Sequence, residues 1–262
     1  MVSYMTMHGE ERSAESPRVI MRQYWRDLLF LHWRCDADRI ASTLPPGLSV
    51  ETFGGSAWVG LVPFRMEKIR VLGMPLPPGL NAFPELNLRT YVRDEKGRSG
   101  VWFYSLDAGD RFAVWGARTF FHLNYHLAQM KVRSEKDGLS YTSRRHGMGP
   151  EKEDRFRWKP PVEGLAVAEP GSLEYFLIER YRLFAWKRKT KRLYTGIVSH
   201  EPYRFRAVEV EEWSTRIFDF NQFPPVTRPP DSCLAAPGFP VKIHPLRPAD
   251  SCDSAKDSKT RR

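Results

Sequence analysis

Long apolar runs are missing from this 262-residue chain. Nothing in it approaches the ~18 consecutive apolar residues of a bilayer-spanning helix, and the polar opening M-V-S-Y-M-T-M-H-G-E-E-R-S-A-E-S-P does not read as a signal peptide. The expectation is a cytoplasmic protein with no membrane partner. Cysteine is scarce as well. Cys35, Cys233 and Cys252 are odd in number, far apart and without a C-x-x-C, which speaks against a disulfide framework and against a zinc knot. A serine hydrolase would need an elbow such as G-x-S-x-G, and none occurs. The P-loop and G-x-G-x-x-G are also absent, so no nucleotide cofactor is expected. His122 and His126 are four apart, but the next residue after His122 is Leu123 and no H-E-x-x-H results, so no metal is expected either.

Basic charge is plentiful. Forty-one Lys and Arg against thirty-one Asp and Glu give a formal charge of +10, a surplus that raises nucleic acid or an acidic surface as partners. Its densest run, K-R-K-T-K-R at 187–192, falls where a loop between strands is expected, and a second run at 256–262 falls in a terminal tail. No recognised binding motif accompanies either, so nucleic acid is not the expected partner. An interior lined with arginines would add to the same surplus.

With 41% hydrophobic residues and 30.5 kDa, the chain can fill one sizeable core. The reading is a loose tail over 1–17, a single domain over 18–247 and a polar tail over 248–262. Strand patterns recur at 28–33, 48–53, 57–64 and 83–93, with Gly54-Gly55 as a hairpin turn and E-K-D-G turning another hairpin between 131–134 and 139–145. Asp36 can cap a short helix that Pro45 and Pro46 must end, and Ser172 caps the clearest helix, in which Leu173, Phe176, Leu177 and Tyr181 repeat at helical spacing. That helix is expected on the outside of a sheet. About ten short strands joined by hairpins, with two or three helices, point to a β-rich α+β chain and not to βαβ units.

The stretch 101–130 combines dense aromatic packing with polar groups that packing does not require. V-W-F-Y-S-L-D alternates as a half-buried strand, Asp110 can cap a helix carrying Phe112, Trp115 and Arg118, and an extended segment resumes near Leu123. Within it, G-A-R-T-F-F-H-L-N-Y-H is laid out like the segment of acetoacetate decarboxylases in which an arginine precedes a pair of lysines, the first being that family's Schiff-base nucleophile. The phrases A-W-V-G-L-V-P-F-R-M, E-L-N-L-R-T-Y-V-R, S-L-D-A, S-R-R and P-G-S-L-E-Y-F-L-I-E-R-Y resemble the uncharacterised YqjF-like group of the same superfamily, over about residues 25–200. The resemblance implies the acetoacetate decarboxylase-like fold, a closed, cone-shaped antiparallel β-barrel with a few outer helices and an interior active site.

By this resemblance Tyr125 and His126 stand where the two lysines would be, and neither can form an imine. Acid–base work remains open to them. Arg34, in L-H-W-R-C-D, would point into the barrel and hold a carboxylate; the alternative is a surface pair with Asp36 or Asp38. Phe83-Pro84-Glu85 reproduces the order around a family glutamate. Strand alternation puts Glu85, Asn87, Arg89 and Tyr91 on one face, which is either solvated or interior. Arg118 matches the family's arginine, and Ser105 is a further polar group beside a strand.

The site expected from the sequence is therefore catalytic Tyr125, His126 and Glu85, with Arg34, Arg118, Arg89 and Ser105 holding a small carboxylate or oxo-acid. An enzyme on this plan would be decarboxylase-, lyase- or hydratase-like without a Schiff base. The competing readings are a non-catalytic small-molecule-binding module and, third, a basic nucleic-acid-associated protein, with a homo-oligomer compatible with each.

Overall fold

The computed structural model describes residues 18–224 and 226–250, so the expected 1–17 tail, Cys252 and the 256–262 basic run lie outside the described residues. In chain order the first half runs β1 (Met21–Cys35), α1 (Ala37–Ala41), β2 (Leu48–Val50), β3 (Ala57–Val71), β4 (Met74–Pro75), β5 (Phe83–Asp94), β6 (Ser99–Ala108) and α2 (Arg111–Phe120). Then come β7 (Tyr125–Glu135), β8 (Gly138–Arg145), β9 (Asp154–Trp158), β10 (Ala166–Val167), α3 (Leu173–Ile178), β11 (Arg182–Lys187) and β12 (Arg192–Ser199). The last described elements are β13 (Arg204–Ala207), β14 (Val210–Glu212), α4 (Arg216–Asp219), β15 (Ser232–Ile243) and β16 (Arg247–Pro248).

Pairing follows β6-β11-β12-β15-β1-β3-β5, and a further β5–β6 ladder returns the path to its start, so seven strands form a ring. Period-two alternation gives each of them an inner and an outer face. Leu28 and Phe30 of β1, Val62 and Phe64 of β3, Tyr91 of β5, Val101 of β6, Leu183 of β11, Val198 of β12 and Leu234 of β15 belong to one buried cluster. Because every ring strand contributes to it, this cluster is the ring's interior. The intervening residues, among them Leu29, Leu31, Val59, Leu61, Leu86 and Leu88, pack outward against Tyr141, Phe156, Trp158 and Phe218. A second sheet, β7-β8-β9-β14, thus covers part of the ring's outer wall.

Several expectations change in detail. The strands are more numerous and longer than the apolar segments suggested: β1 and β3 each run fifteen residues, because their polar ends continue the ladder past the core. The ring is not wholly antiparallel. β6 pairs in parallel with β7 and with β11, since α2 carries the chain back across between β6 and β7. Ser172 caps α3 as expected, accepting from the Tyr175 amide. The helix, however, buries Phe176, Leu177 and Ile178 against the ring's interior cluster and not on an outer sheet face. Ordered pairing continues past 247, where a polar tail was expected: β16 pairs with β12 and the Ala249 amide bonds to the Leu193 carbonyl. No helix among the described residues is long and apolar enough to cross a membrane.

Ring closure rests on a short seam. β6 and β11 pair only at Val101↔Leu183 and Phe184↔Trp102, and a Cβ on the adjacent Gly100 would stand 2.8 Å from both the Arg182 carbonyl oxygen and the Phe184 ring. A backbone oxygen cannot move aside cheaply. Gly100→Ala is therefore expected to cost about 1–3 kcal/mol, read as a lower denaturation midpoint. An unchanged midpoint would mean that the strands are not held this close.

Candidate functional site

The inner face of β5 carries the chemistry. Glu85 is in register with Phe64 of β3, an interior residue, so Glu85, Asn87, Arg89 and Tyr91 face inward while Leu86 and Leu88 pack outward. All four polar residues are buried. β6 brings Leu106 beside Tyr125 through the parallel β6–β7 pairing, and there the Tyr125 hydroxyl donates to Glu85 Oε2 at 2.6 Å. Burial raises the Glu85 carboxyl from 4.5 to about 8, against the opposing hydrogen bonds from Tyr125 and Asn87. Glu85 is thus mostly a neutral acid at neutral pH, and the carboxylate left after proton loss already has two donors. Burial, followed by the Glu85 charge, drives the Tyr125 phenol well above its ordinary range, so it stays protonated.

Farther along the same face, Arg89 donates to the Leu177 carbonyl at 3.0 Å, at the end of α3, and its guanidinium lies over the Phe30 and Tyr91 rings. Among the described residues it has no carboxylate partner. Arg180, also within reach of the Tyr91 ring at 5.1 Å, is neutralised by Glu51 at 2.8 Å. A buried guanidinium without a counter-charge is costly. His32 of β1 completes the group. Tyr91 donates to the Leu177 carbonyl at 2.8 Å, so its oxygen accepts from His32 Nε2, 2.7 Å away. That fixes the proton on Nε2 and leaves Nδ1 a bare acceptor. Burial, then Arg89, holds this imidazole well below its ordinary pKa and therefore neutral. Gly60 of β3 makes room for the ring: a Cβ there would lie 3.0 Å from His32 Nε2 and 3.3 Å from the Tyr91 hydroxyl.

Four buried atoms of this interior have no hydrogen-bond partner: Arg89 Nε, a donor, and the acceptors His32 Nδ1, Asn87 Oδ1 and His200 Nε2. His200 packs against Trp25, Tyr203 and Phe239 of the same cluster, and its other nitrogen donates to the Glu201 carbonyl at 2.7 Å.

The remaining expected residues are elsewhere. Arg34 shares the inward parity of His32 and is in register with Trp58 of the interior cluster, but its own side chain is exposed over the Trp58 ring, with its backbone tied to Asp231 and Arg228. Arg118 is exposed on α2, and its Nε donates to the Tyr125 carbonyl at 2.6 Å, which positions the strand and not a ligand. His126 and Ser105 have the opposite parity to Tyr125 and Glu85. Ser105 accepts from Arg145 at 2.7 Å and from Asn221 at 2.8 Å, while Arg145 pairs with Asp107 at 2.9 Å, a satisfied network on the outer wall. His126, in register with Asp107, is pushed down to about 4 by burial and then by Arg145 and Arg118. It is neutral at pH 7. His32 and Tyr91 were missed as site residues, although E-L-N-L-R-T-Y shows Tyr91 in step with Glu85. The described residues contain no cluster of metal-ligating side chains. An open groove of about 790 Å³ lies outside the ring, between Gly109–Phe112 and Leu127–Lys131, and contains none of the interior residues.

A model of the family DUF2071, described as an uncharacterized conserved protein, matches residues 22–240. The uncharacterized protein YqjF of Bacillus subtilis (strain 168) is 43% identical over 210 residues, covering 79% of this chain and 84% of its own. Among solved structures, acetoacetate decarboxylase from Legionella pneumophila superposes with a TM-score of 0.61 at 13% identity, over 92% of this chain and 94% of that one. The enduracididine biosynthesis enzyme MppR complexed with pyruvate gives 0.60 at 14% identity, over 91% and 93%. At such identities the structural likeness establishes the acetoacetate decarboxylase-like fold alone.

Because Glu85 holds its proton more tightly folded than unfolded, its contribution to stability is full near pH 4.5 and is lost as the pH rises toward about 8. Asp107, raised to about 6, and Asp154, raised to about 7, act in the same direction, burial being the first cause of each. Glu85→Gln isolates the Glu85 share. Relative to wild type, the variant should gain on the order of a few kcal/mol between the two ends of that window, measured by denaturant unfolding. Parallel profiles would show that Glu85 titrates normally.

Proposed function

Given that the chain belongs to the DUF2071 family, we propose that its ring interior binds a small-molecule carboxylate or oxo-acid and acts on it, when it does, by acid–base chemistry. The observation that carries this reading is Arg89: a buried guanidinium with a free Nε and no carboxylate partner among the described residues. A carboxylate is the group that its planar donors fit best. Glu85 and Arg89 are four residues apart on one strand, about 13 Å between their Cα atoms. An acid reaching both is thus an extended one. Its carboxylate would lie on Arg89 and its oxo or hydroxyl oxygen would meet the Glu85–Tyr125 pair, with donor groups of its own for Asn87 Oδ1 and His32 Nδ1.

In such a complex Glu85 gives its proton to the substrate oxygen and becomes a carboxylate that keeps the Tyr125 hydrogen bond. The same atoms in reverse return the proton. Imine chemistry has no support: tyrosine and histidine occupy 125 and 126, and Lys131, the lysine nearest in sequence, is exposed. MppR, which shares the fold, has been solved in complex with pyruvate, and this favours an oxo-acid as the first probe to try.

The test is a thermal-shift screen of oxo- and hydroxy-acids of increasing chain length. A ligand at a hundred times its Kd should add ~2.7 kcal/mol. Arg89→Met should abolish the shift, whereas Tyr125→Phe should keep the shift and lose turnover. Borohydride with a bound keto acid should leave no adduct. A shift that survives Arg89→Met would remove the anchor, a trapped lysine would restore imine chemistry, and binding without turnover across the screen would leave a small-molecule-binding module.

A further inference from the structure

α2 leaves a large aromatic surface uncovered. Of its ten residues only Val114 is buried, and the helix rests on β6 and β7. Phe112, Trp115 and Phe120 are 61%, 62% and 64% exposed. At 3.6 residues per turn they share one side of the helix, and Trp115 meets Phe120 edge to face at 5.8 Å. Soluble surfaces rarely expose several large aromatics together without a use for them. The one acidic residue at this helix, Asp110, is taken up as its N-cap, accepting from the Ala113 amide at 2.7 Å.

The far end of the same helix adjoins the basic run. His122, two residues past α2, packs against Tyr194 of β12 at 5.4 Å and is close enough to Lys187 for that charge, after burial, to lower its pKa. The turn at 188–191, between β11 and β12, therefore stands beside the C-terminal end of α2. Arg188, Lys189 and Lys191 in this turn are exposed and have no carboxylate partner among the described residues, whereas Arg192 is taken by Asp250 at 3.0 Å.

We infer that α2 and the 188–191 turn form one docking face for an anionic phospholipid bilayer. Aromatics on an exposed helix flanked by unpaired cations match the two layers such a surface offers, an acyl boundary and a sheet of phosphates. Phe112 borders the open groove outside the ring, but Phe120 does not, and the rings stand on one helix and not on a sheet; single-stranded nucleic acid would favour a groove or sheet along which successive bases all stack. A second copy docked here would bring two cationic turns together. The face is separate from the ring interior, so the inference does not depend on the ligand proposed there.

Co-sedimentation of the full chain with vesicles tests it. Binding to phosphatidylcholine vesicles containing phosphatidylserine should be at least ~10-fold tighter than to phosphatidylcholine alone and should weaken steeply with salt. Phe112→Ser with Trp115→Ala should abolish it, as should Arg188→Glu with Lys189→Glu; both pairs are exposed and should leave the melting temperature unchanged. Wild type should show a blue shift of tryptophan emission on vesicles that Trp115→Phe lacks. Equal binding to both vesicle types, or none, would overturn the inference. So would an oligonucleotide that binds this face in place of vesicles, or a dimer in solution that Trp115→Ala dissolves.

Discussion

The short parallel seam between β6 and β11 decides what is inside this molecule. Without it β5 would border an open sheet, and a strand face carrying glutamate, asparagine, arginine and tyrosine would be an ordinary solvated face. With it, the path β6-β11-β12-β15-β1-β3-β5 closes, and those side chains are taken out of water together. The consequences follow from desolvation. A carboxyl that would ionise near 4.5 holds its proton to about 8, an imidazole becomes a neutral acceptor, and a guanidinium is left with π faces, one carbonyl and a long contact to the Tyr91 hydroxyl.

The two halves of the interior solve the problem of buried polarity differently. Glu85 and Tyr125 avoid charge by remaining protonated and hydrogen-bonded to each other, whereas Arg89 draws on the helix-end carbonyl of Leu177. The outer wall holds a third solution, in which Asp107, Arg145, Ser105 and Asn221 satisfy one another. The outer wall has isolated unpartnered atoms, such as Ser143 Oγ and Trp158 Nε1, but the inner face gathers Arg89 Nε, His32 Nδ1 and Asn87 Oδ1 beside a neutral acid, which is why it and not the outer network is the candidate site.

Much of this was legible in the residues. The strands, the E-K-D-G hairpin and the caps at Asp36, Asp110 and Ser172 follow from local chemistry, and the period-two spacing of Glu85, Asn87, Arg89 and Tyr91 holds in the structure. Gly54-Gly55 does turn the chain, but it closes only a Phe53↔Ser56 bridge and no hairpin, because β2 pairs with β5 and not with β3. Which face was interior could not be read locally, because alternation is identical whether the polar side meets water or a closed ring. Arg34 shows the same limit: its parity is right, but its side chain ends in solvent over the Trp58 ring, and which end of a strand is covered is a property of its neighbours. Ser105 and His126 went astray through parity itself, each standing one residue out of step with the inner face. α3 looked like a surface helix because its amphipathic pattern says that one side is buried and not against what.

The imidazole of His32 fits between β1 and β3 only because residue 60 has no side chain, its Nε2 lying 3.0 Å from where a Cβ would be. From that nitrogen a chain of two contacts, to the Tyr91 hydroxyl and on to the Leu177 carbonyl, reaches the last turn of α3. A side chain at position 60 would therefore disturb not only the packing of β1 on β3 but also the hydrogen bonds that seat α3 against the ring's interior cluster.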